Sequence, residues 1–118
     1  MPVLDRYFEA MRSHDWEGLS ACLAKDVHRT GPYLDVIEGR DAYTKFLSDV
    51  IPAPENYSLV VRKTHELAQG SAMVELSEHL DMAGVSTETP EVIVFDFNDE
   101  GLIARVDIYI KQRPPAKH

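Results

Sequence analysis

From Tyr57 onward the chain reads as a succession of strands separated by turns, and this run limits the possible folds more than any other feature. Residues 57–67 (YSLVVRKTHEL) are rich in β-forming side chains. Gln69-Gly70 marks a turn, and residues 72–81 (AMVELSEHLD) alternate between faces. Gly84 breaks the pattern, and residues 86–97 (STETPEVIVFDF) resume it. Asn98-Asp99-Glu100-Gly101 reads as a hairpin turn before residues 102–112 (LIARVDIYIKQ), which alternate almost without fault. Four strands with such short links predict an antiparallel meander. A meander with an apolar face needs a second layer to cover it.

The first half supplies that layer. Val3, Leu4, Tyr7, Phe8 and Met11 form one apolar stripe, so residues 2–13 predict a helix with Pro2 in its first turn. Asp15 is a candidate N-cap for a second helix running to about Lys25, with Trp16, Leu19, Ala21, Cys22 and Leu23 as its apolar surface. Residues 26–38 hold Gly31-Pro32, a break with a short extended piece on each side. A third helix is expected over about 41–51, capped by Asp41 and stopped by Pro52 and Pro54, with Tyr43, Phe46, Leu47 and Val50 inward. The order ααββαββββ predicts an α+β fold: a cone-shaped, curved antiparallel or mixed sheet wrapped around three helices. Its interior either fills with side chains or remains a pocket. One domain is expected over 1–113, with 114–118 a disordered tail after Pro114-Pro115.

Composition narrows the partners. The 118 residues carry 12 Lys and Arg against 20 Asp and Glu, a net charge of −8. Such a chain lacks the basic footprint of a nucleic-acid binder, and anionic membranes disfavour it. No stretch approaches a membrane span. One cysteine, Cys22, cannot form an internal disulfide, and the N-terminus has no apolar leader core, so a cytoplasmic location is expected. Neither a glycine-rich phosphate loop nor a dinucleotide fingerprint is present, and the His, Asp and Glu residues do not converge by spacing. No cofactor and no metal are expected.

The chain resembles the nuclear transport factor two-like superfamily, in particular its SnoaL-like and ketosteroid-isomerase-like bacterial members. The resemblance rests on Arg6-Tyr7-Phe8-Glu9-Ala10-Met11, His14-Asp15-Trp16-Glu17-Gly18-Leu19 and Leu23-Ala24-Lys25-Asp26-Val27. It continues through Glu38-Gly39-Arg40-Asp41-Ala42 and closes with Phe97-Asn98-Asp99-Glu100-Gly101-Leu102-Ile103. It implies the cone fold, a homodimer through the outer sheet face and a small hydrophobic ligand inside. Tyr7 falls where the isomerases carry their oxyanion-binding Tyr. The position of their proton-moving Asp falls on Gly31, and that of their oxyanion Asp on Ile93. The inward acid that SnoaL-like cyclases carry on the last strand matches Ile108. The usual isomerase aspartates are therefore missing at the matched positions.

The strand over 72–81 has two faces. One shows Met73, Glu75, Ser77, His79 and Asp81; the other shows Val74, Leu76, Glu78 and Leu80. Alternation alone makes the second face the core. The register implied by the resemblance turns the first face into the pocket, with Val74, Leu76, Leu80, Val92 and Val94 on a dimer face. In that register Tyr7, Glu75 and His79 are the candidate catalytic residues. Tyr7 would steady an oxyanion, and His79 or Glu75 would move a proton. Trp16, Tyr33, Phe46, Ser77, Ile93, Phe95, Val106 and Ile108 would line the substrate site. Either His28 or Arg29 must point inward, and Arg29 could hold an anionic group. Two functions fit: an enzyme moving a proton on a hydrophobic substrate by isomerisation, cyclisation or hydration, or a non-catalytic ligand-binding or dimerisation domain. Whether Glu75 and His79 face an enclosed cavity discriminates between them.

Overall fold

The computed structural model describes residues 1–114. The expected tail lies, apart from Pro114, outside the described residues. Helix α1 spans Pro2–Ser13 and buries Leu4, Tyr7, Phe8, Ala10 and Met11 on one face. His14 ends it in the left-handed region at φ 58°, and the Asp15 amide donates back to the Ala10 carbonyl at 2.9 Å. Helix α2 covers only Trp16–Ser20, with the Asp15 carboxylate accepting from the Gly18 amide at 2.9 Å as its N-cap.

The expected continuation of that helix to Lys25 is corrected: Leu23–Thr30 is strand β1. Leu23 stands beside Ile103, and the Ile103 amide donates to the Cys22 carbonyl at 2.9 Å. Pairing with a distant strand overrides the local helical pattern while still burying Leu23 and Ala24. Strand β2 (Val36–Glu38) pairs antiparallel with β1. Helix α3 spans Arg40–Val50. Its N-cap is Gly39 at φ 97°, a conformation that glycine takes at no steric cost; Asp41 sits in the first turn and does not cap.

The meander follows as read: β3 (Tyr57–Leu67), β4 (Ser71–Met82), β5 (Val85–Phe97) and β6 (Ile103–Ile110). Gln69-Gly70 and Ala83-Gly84 turn with both residues at positive φ, and the Asn98 side chain accepts from the Glu100 and Leu102 amides at 3.0 Å each. The six strands form one open mixed sheet ordered β2-β1-β6-β5-β4-β3. Only β1 and β6 run parallel among its neighbouring pairs. Register shifts at Val61/Lys63 and Asp96/Phe97 mark irregularities of the kind that bend strands. The helices cover one face. There Tyr7, Phe8 and Phe95 meet edge to face, with ring centroids 5.3 to 6.0 Å apart. Among the described residues no helix is long and apolar enough to cross a membrane.

Candidate functional site

Cross-strand pairing decides which side chains face the helices. Val74 stands opposite Ile93, Leu76 opposite Glu91, and Ile93 in turn opposite Ile108. Val74 and Leu76 are fully buried, so the helix-facing side of β4 is Ala72, Val74, Leu76, Glu78 and Leu80. Simple alternation predicted this face. The register taken from the resemblance is corrected. Glu75, Ser77 and His79 lie on the opposite side of the sheet, and Val74, Leu76 and Leu80 do not belong to an outer dimer face.

Those three outward residues have local partners. Glu75 accepts from His65 Nε2 at 2.7 Å, and this bond holds its carboxyl below the ordinary range. Ser77 is buried and donates to Glu88 at 3.2 Å. His79 lies 3.1 Å from Asp81 across two positions of its own strand. None of the three reaches Tyr7.

A cavity of about 450 Å³ opens between α1, α3 and the inner face of the sheet. Tyr7, Tyr33, Phe46, Ile93 and Ile108 line it, as do Arg29, Tyr43, Leu80, Glu78 and Glu91. Phe95 and Val106 are fully buried beneath it and Trp16 packs against the core beside His14; these three do not line it. A wider groove of about 670 Å³ runs between α1 and β3 past Leu4, Phe8 and Val61, with Asp5, Arg6, Glu9 and Arg12 along it.

Four of the cavity's polar side chains, Tyr7, Arg29, Tyr43 and Glu91, are buried. The Tyr7 and Tyr43 hydroxyls share a hydrogen bond of 2.7 Å, and burial raises both above the ordinary tyrosine range, Tyr43 to about 12. Tyr57 donates to Glu78 Oε2 at 2.5 Å. Burial, and then the Glu78 charge, pushes the Tyr57 hydroxyl far up. Glu91 is 8% exposed. Burial first, then its hydrogen bond with Glu78 and the repulsion between the two carboxyls, raises it far above the ordinary carboxyl range. Burial therefore favours the protonated form of Glu91, a form that can donate a hydrogen bond into the cavity.

Arg29, and not His28, is the inward residue of its pair. His28 stays exposed and meets Glu38 at 3.1 Å. Arg29 is 5% exposed, lies 4.7 Å over the Phe46 ring and pairs with Asp35 at 2.6 Å. Gly31 makes room for that pair: a Cβ there would stand 2.4 Å from Asp35 Oδ1 and 2.7 Å from Arg29 Nη1. Among the described residues no three His, Cys, Asp or Glu side chains gather as a metal site.

Sequence reasoning missed Glu78, Glu91, Tyr57 and Tyr43. The signal was present for two of them. Glu78 sits in phase with Val74, Leu76 and Leu80, and Glu91 in phase with Ile93 and Phe95. A carboxylate on an otherwise apolar face is costly unless it is paired or neutralised.

An open mixed sheet cupping three helices around a partly polar cavity defines the nuclear transport factor two-like class, with ketosteroid-isomerase-like proteins among its structural neighbours. The model of the SnoaL-like domain matches residues 4–106, and the chain belongs to that family. RV0760c from Mycobacterium tuberculosis, solved in complex with estradiol-17beta-hemisuccinate, superposes with a TM-score of 0.79 at 24% identity, covering 91% of this chain and 89% of that one. A candidate ketosteroid isomerase from Kribbella flavida DSM 17836 gives 0.77 at 27% identity, over 98% of this chain and 82% of that one. An epoxide hydrolase of the LEH-like kind from M. tuberculosis gives 0.79 at 14% identity, over 93% and 80%. No curated protein matches the chain.

Proposed function

We propose that this protein is a small-molecule enzyme of the SnoaL-like, ketosteroid-isomerase-like kind, a single domain over 1–113 that holds a hydrophobic substrate in the cavity and moves a proton on it. The observation that carries this reading is the buried carboxyl of Glu91 beside Glu78, on a cavity lining that also presents Ile93, Ile108 and Leu80. A neutral carboxylic acid can donate to a carbonyl, epoxide or enolate oxygen, and its partner carboxylate can accept a proton from carbon. Tyr57 holds Glu78 in place. The Tyr7–Tyr43 pair offers a further hydroxyl donor to developing negative charge. In this arrangement Glu78 and Glu91 take the acid–base roles that the sequence suggested for Glu75 and His79, and no isomerase aspartate is needed at Gly31 or Ile93. Neighbours described as binding a steroid derivative or as isomerase and epoxide-hydrolase proteins support a hydrophobic ligand.

The test is exchange at carbon. A bicyclic ketone such as β-tetralone is incubated with the protein in deuterated water, and loss of its α-proton signal is followed by NMR. Wild-type protein accelerates exchange, and Glu78→Gln and Glu91→Gln abolish the acceleration while still binding the ketone. A panel of steroids, aromatic ketones, terpene epoxides and fatty acids, read by thermal stabilisation, identifies ligands. At 100 times its dissociation constant a ligand adds about 2.7 kcal/mol to the native state. Binding without exchange or turnover across that panel establishes the alternative, a non-catalytic ligand-binding domain.

We also propose a cytoplasmic homodimer. Met73, Val92 and Val94 are half-buried on the outer face of the sheet, flanked by exposed Val60 and Tyr109, and a second copy of the chain would cover them.

A further inference from the structure

We infer that the ligand of this cavity carries an anionic group, a carboxylate by its chemistry, and that Arg29 receives it; the inference rests on the cavity being a ligand site. Arg29 projects from β1 onto the helix-facing side, in register with Val106, which stands opposite Phe95. Its side chain is 6% exposed. A permanent charge on an apolar face is a poor choice for packing alone, because a guanidinium keeps its charge at every physiological pH and must be solvated or paired.

The pairing is incomplete. Asp35 accepts from Nη1 at 2.6 Å, and its main-chain oxygen stands 3.4 Å from the same nitrogen. Nε is sealed from solvent and has no acceptor. Asp35 therefore occupies one end of the fork, and the Nε–Nη2 edge is left unused. Nη2 is the donor that a carboxylate in the cavity can reach, and binding side-on through Nε as well requires that nitrogen to be uncovered. The guanidinium is held in place, stacked 4.7 Å over Phe46 and fixed at Nη1, so little rotamer freedom is lost on binding. Asp35 itself is half-exposed and draws on Arg29 enough to hold its own carboxyl below the ordinary range.

The cavity is also polarised along the strands. Arg29 shares a cross-strand row with Val106 and Phe95, whereas Glu91 shares one with Ile110 and Leu76. The Ile93–Ile108 row lies between them. The two rows are four residues apart along β5, about 13 Å of strand. An anionic head is repelled from the Glu78–Glu91 end and attracted to Arg29. The ligand class is therefore an amphipathic acid: carboxylate at Arg29 beside Pro32 and Tyr33, apolar body along Ile93 and Ile108, reacting carbon toward Glu91.

The experiment compares acids with their methyl esters, using naphthylacetic and dodecanoic acids as probes on the full chain by calorimetry and thermal stabilisation. Hydrogen bonds to a charged group predict that wild-type protein binds each acid about tenfold or more tightly than its ester. Arg29→Gln removes that preference. Asp35→Asn, which frees the second end of the fork, tightens the acids and leaves the esters unchanged. If Arg29→Gln does not fold, the wild-type ratio and the Asp35→Asn response decide the matter alone. Equal binding of acid and ester, with Asp35→Asn moving neither, overturns the inference and leaves Nε to a buried water. Esters or neutral ketones that bind while the acids do not overturn it without touching the reading of the cavity. If no probe of either kind binds, the cavity is not a ligand site and both fall together.

Discussion

The Tyr57 hydroxyl donates to Glu78 Oε2 at 2.5 Å, tying the start of β3 to the middle of β4 where Glu91 is buried. This bond gives the Glu78 carboxylate a hydroxyl donor from a neighbouring strand at the edge of the cavity. Tyr57 reaches it because Leu59 stands opposite Glu78, placing Tyr57 one step away on the same face.

Removing the donor tests that bond. Tyr57→Phe keeps the ring in the core and takes away one buried, charge-assisted hydrogen bond, so it is expected to lower stability by about 1–3 kcal/mol. Urea unfolding measures the loss, and a midpoint unchanged from wild type would show that Glu78 has a better partner than Tyr57.

Glu91 predicts a pH dependence with a definite sign. In the folded chain it keeps its proton well above the ordinary carboxyl value of 4.5, whereas in the unfolded chain it has lost it. Folding therefore takes up a proton, and stability falls as pH rises from about 5 through neutrality, by at most about 1.4 kcal/mol per pH unit for one group. The depressed carboxyls Asp35 and Asp96, held down first by hydrogen bonds from Arg29 and Ser71, act with the opposite sign but at lower pH. Glu91→Gln should match wild type near pH 5 and exceed it at pH 8. Parallel stability curves for the two proteins would mean that Glu91 ionises normally.

On the outer face, Glu75→Gln and His79→Ala are expected to leave ligand affinity and proton exchange unchanged. Both side chains sit across the sheet from the cavity, with their partners in His65 and Asp81. A loss of exchange in either variant, with ligand still bound, would return the acid–base role to that face.

The proposed dimer makes a prediction for the same surface. Val94 faces outward opposite Asp107. Val94→Lys is expected to convert a dimer to a monomer of 13.3 kDa in sedimentation, leaving the cavity's ligand affinity intact. A wild-type protein that sediments as a monomer refutes the assembly directly.

Much of the fold was legible in the residues. The apolar stripe of α1, the Asp15 cap, the break at Gly31-Pro32 and the turns at Gly70, Gly84 and Asn98–Gly101 are local features, each set by a few neighbouring side chains. The exception is Leu23–Lys25, read as the end of a helix but forming the start of β1, because its pairing partner, β6, lies some eighty residues away and leaves no trace in the local pattern. The candidate site was less legible, and the reason is specific. Alternation alone put Val74 and Leu76 inside, and the resemblance, applied one residue out of phase, turned the strand over. Slipping a strand by one position exchanges every inward side chain for an outward one.

By itself, then, the sequence determined the elements, their order and the family of folds that can close them, because helix stripes, caps and turn residues act over a few positions. Only the tertiary structure decided that Glu78 and Glu91 meet, that Tyr57 bonds to Glu78, that the Tyr7–Tyr43 pair lines the same cavity, and that Arg29 points inward with an unsatisfied Nε. These residues come from β1, α1, α3, β3, β4 and β5. Their meeting depends on strand register and helix packing, which long-range burial sets and no single segment encodes.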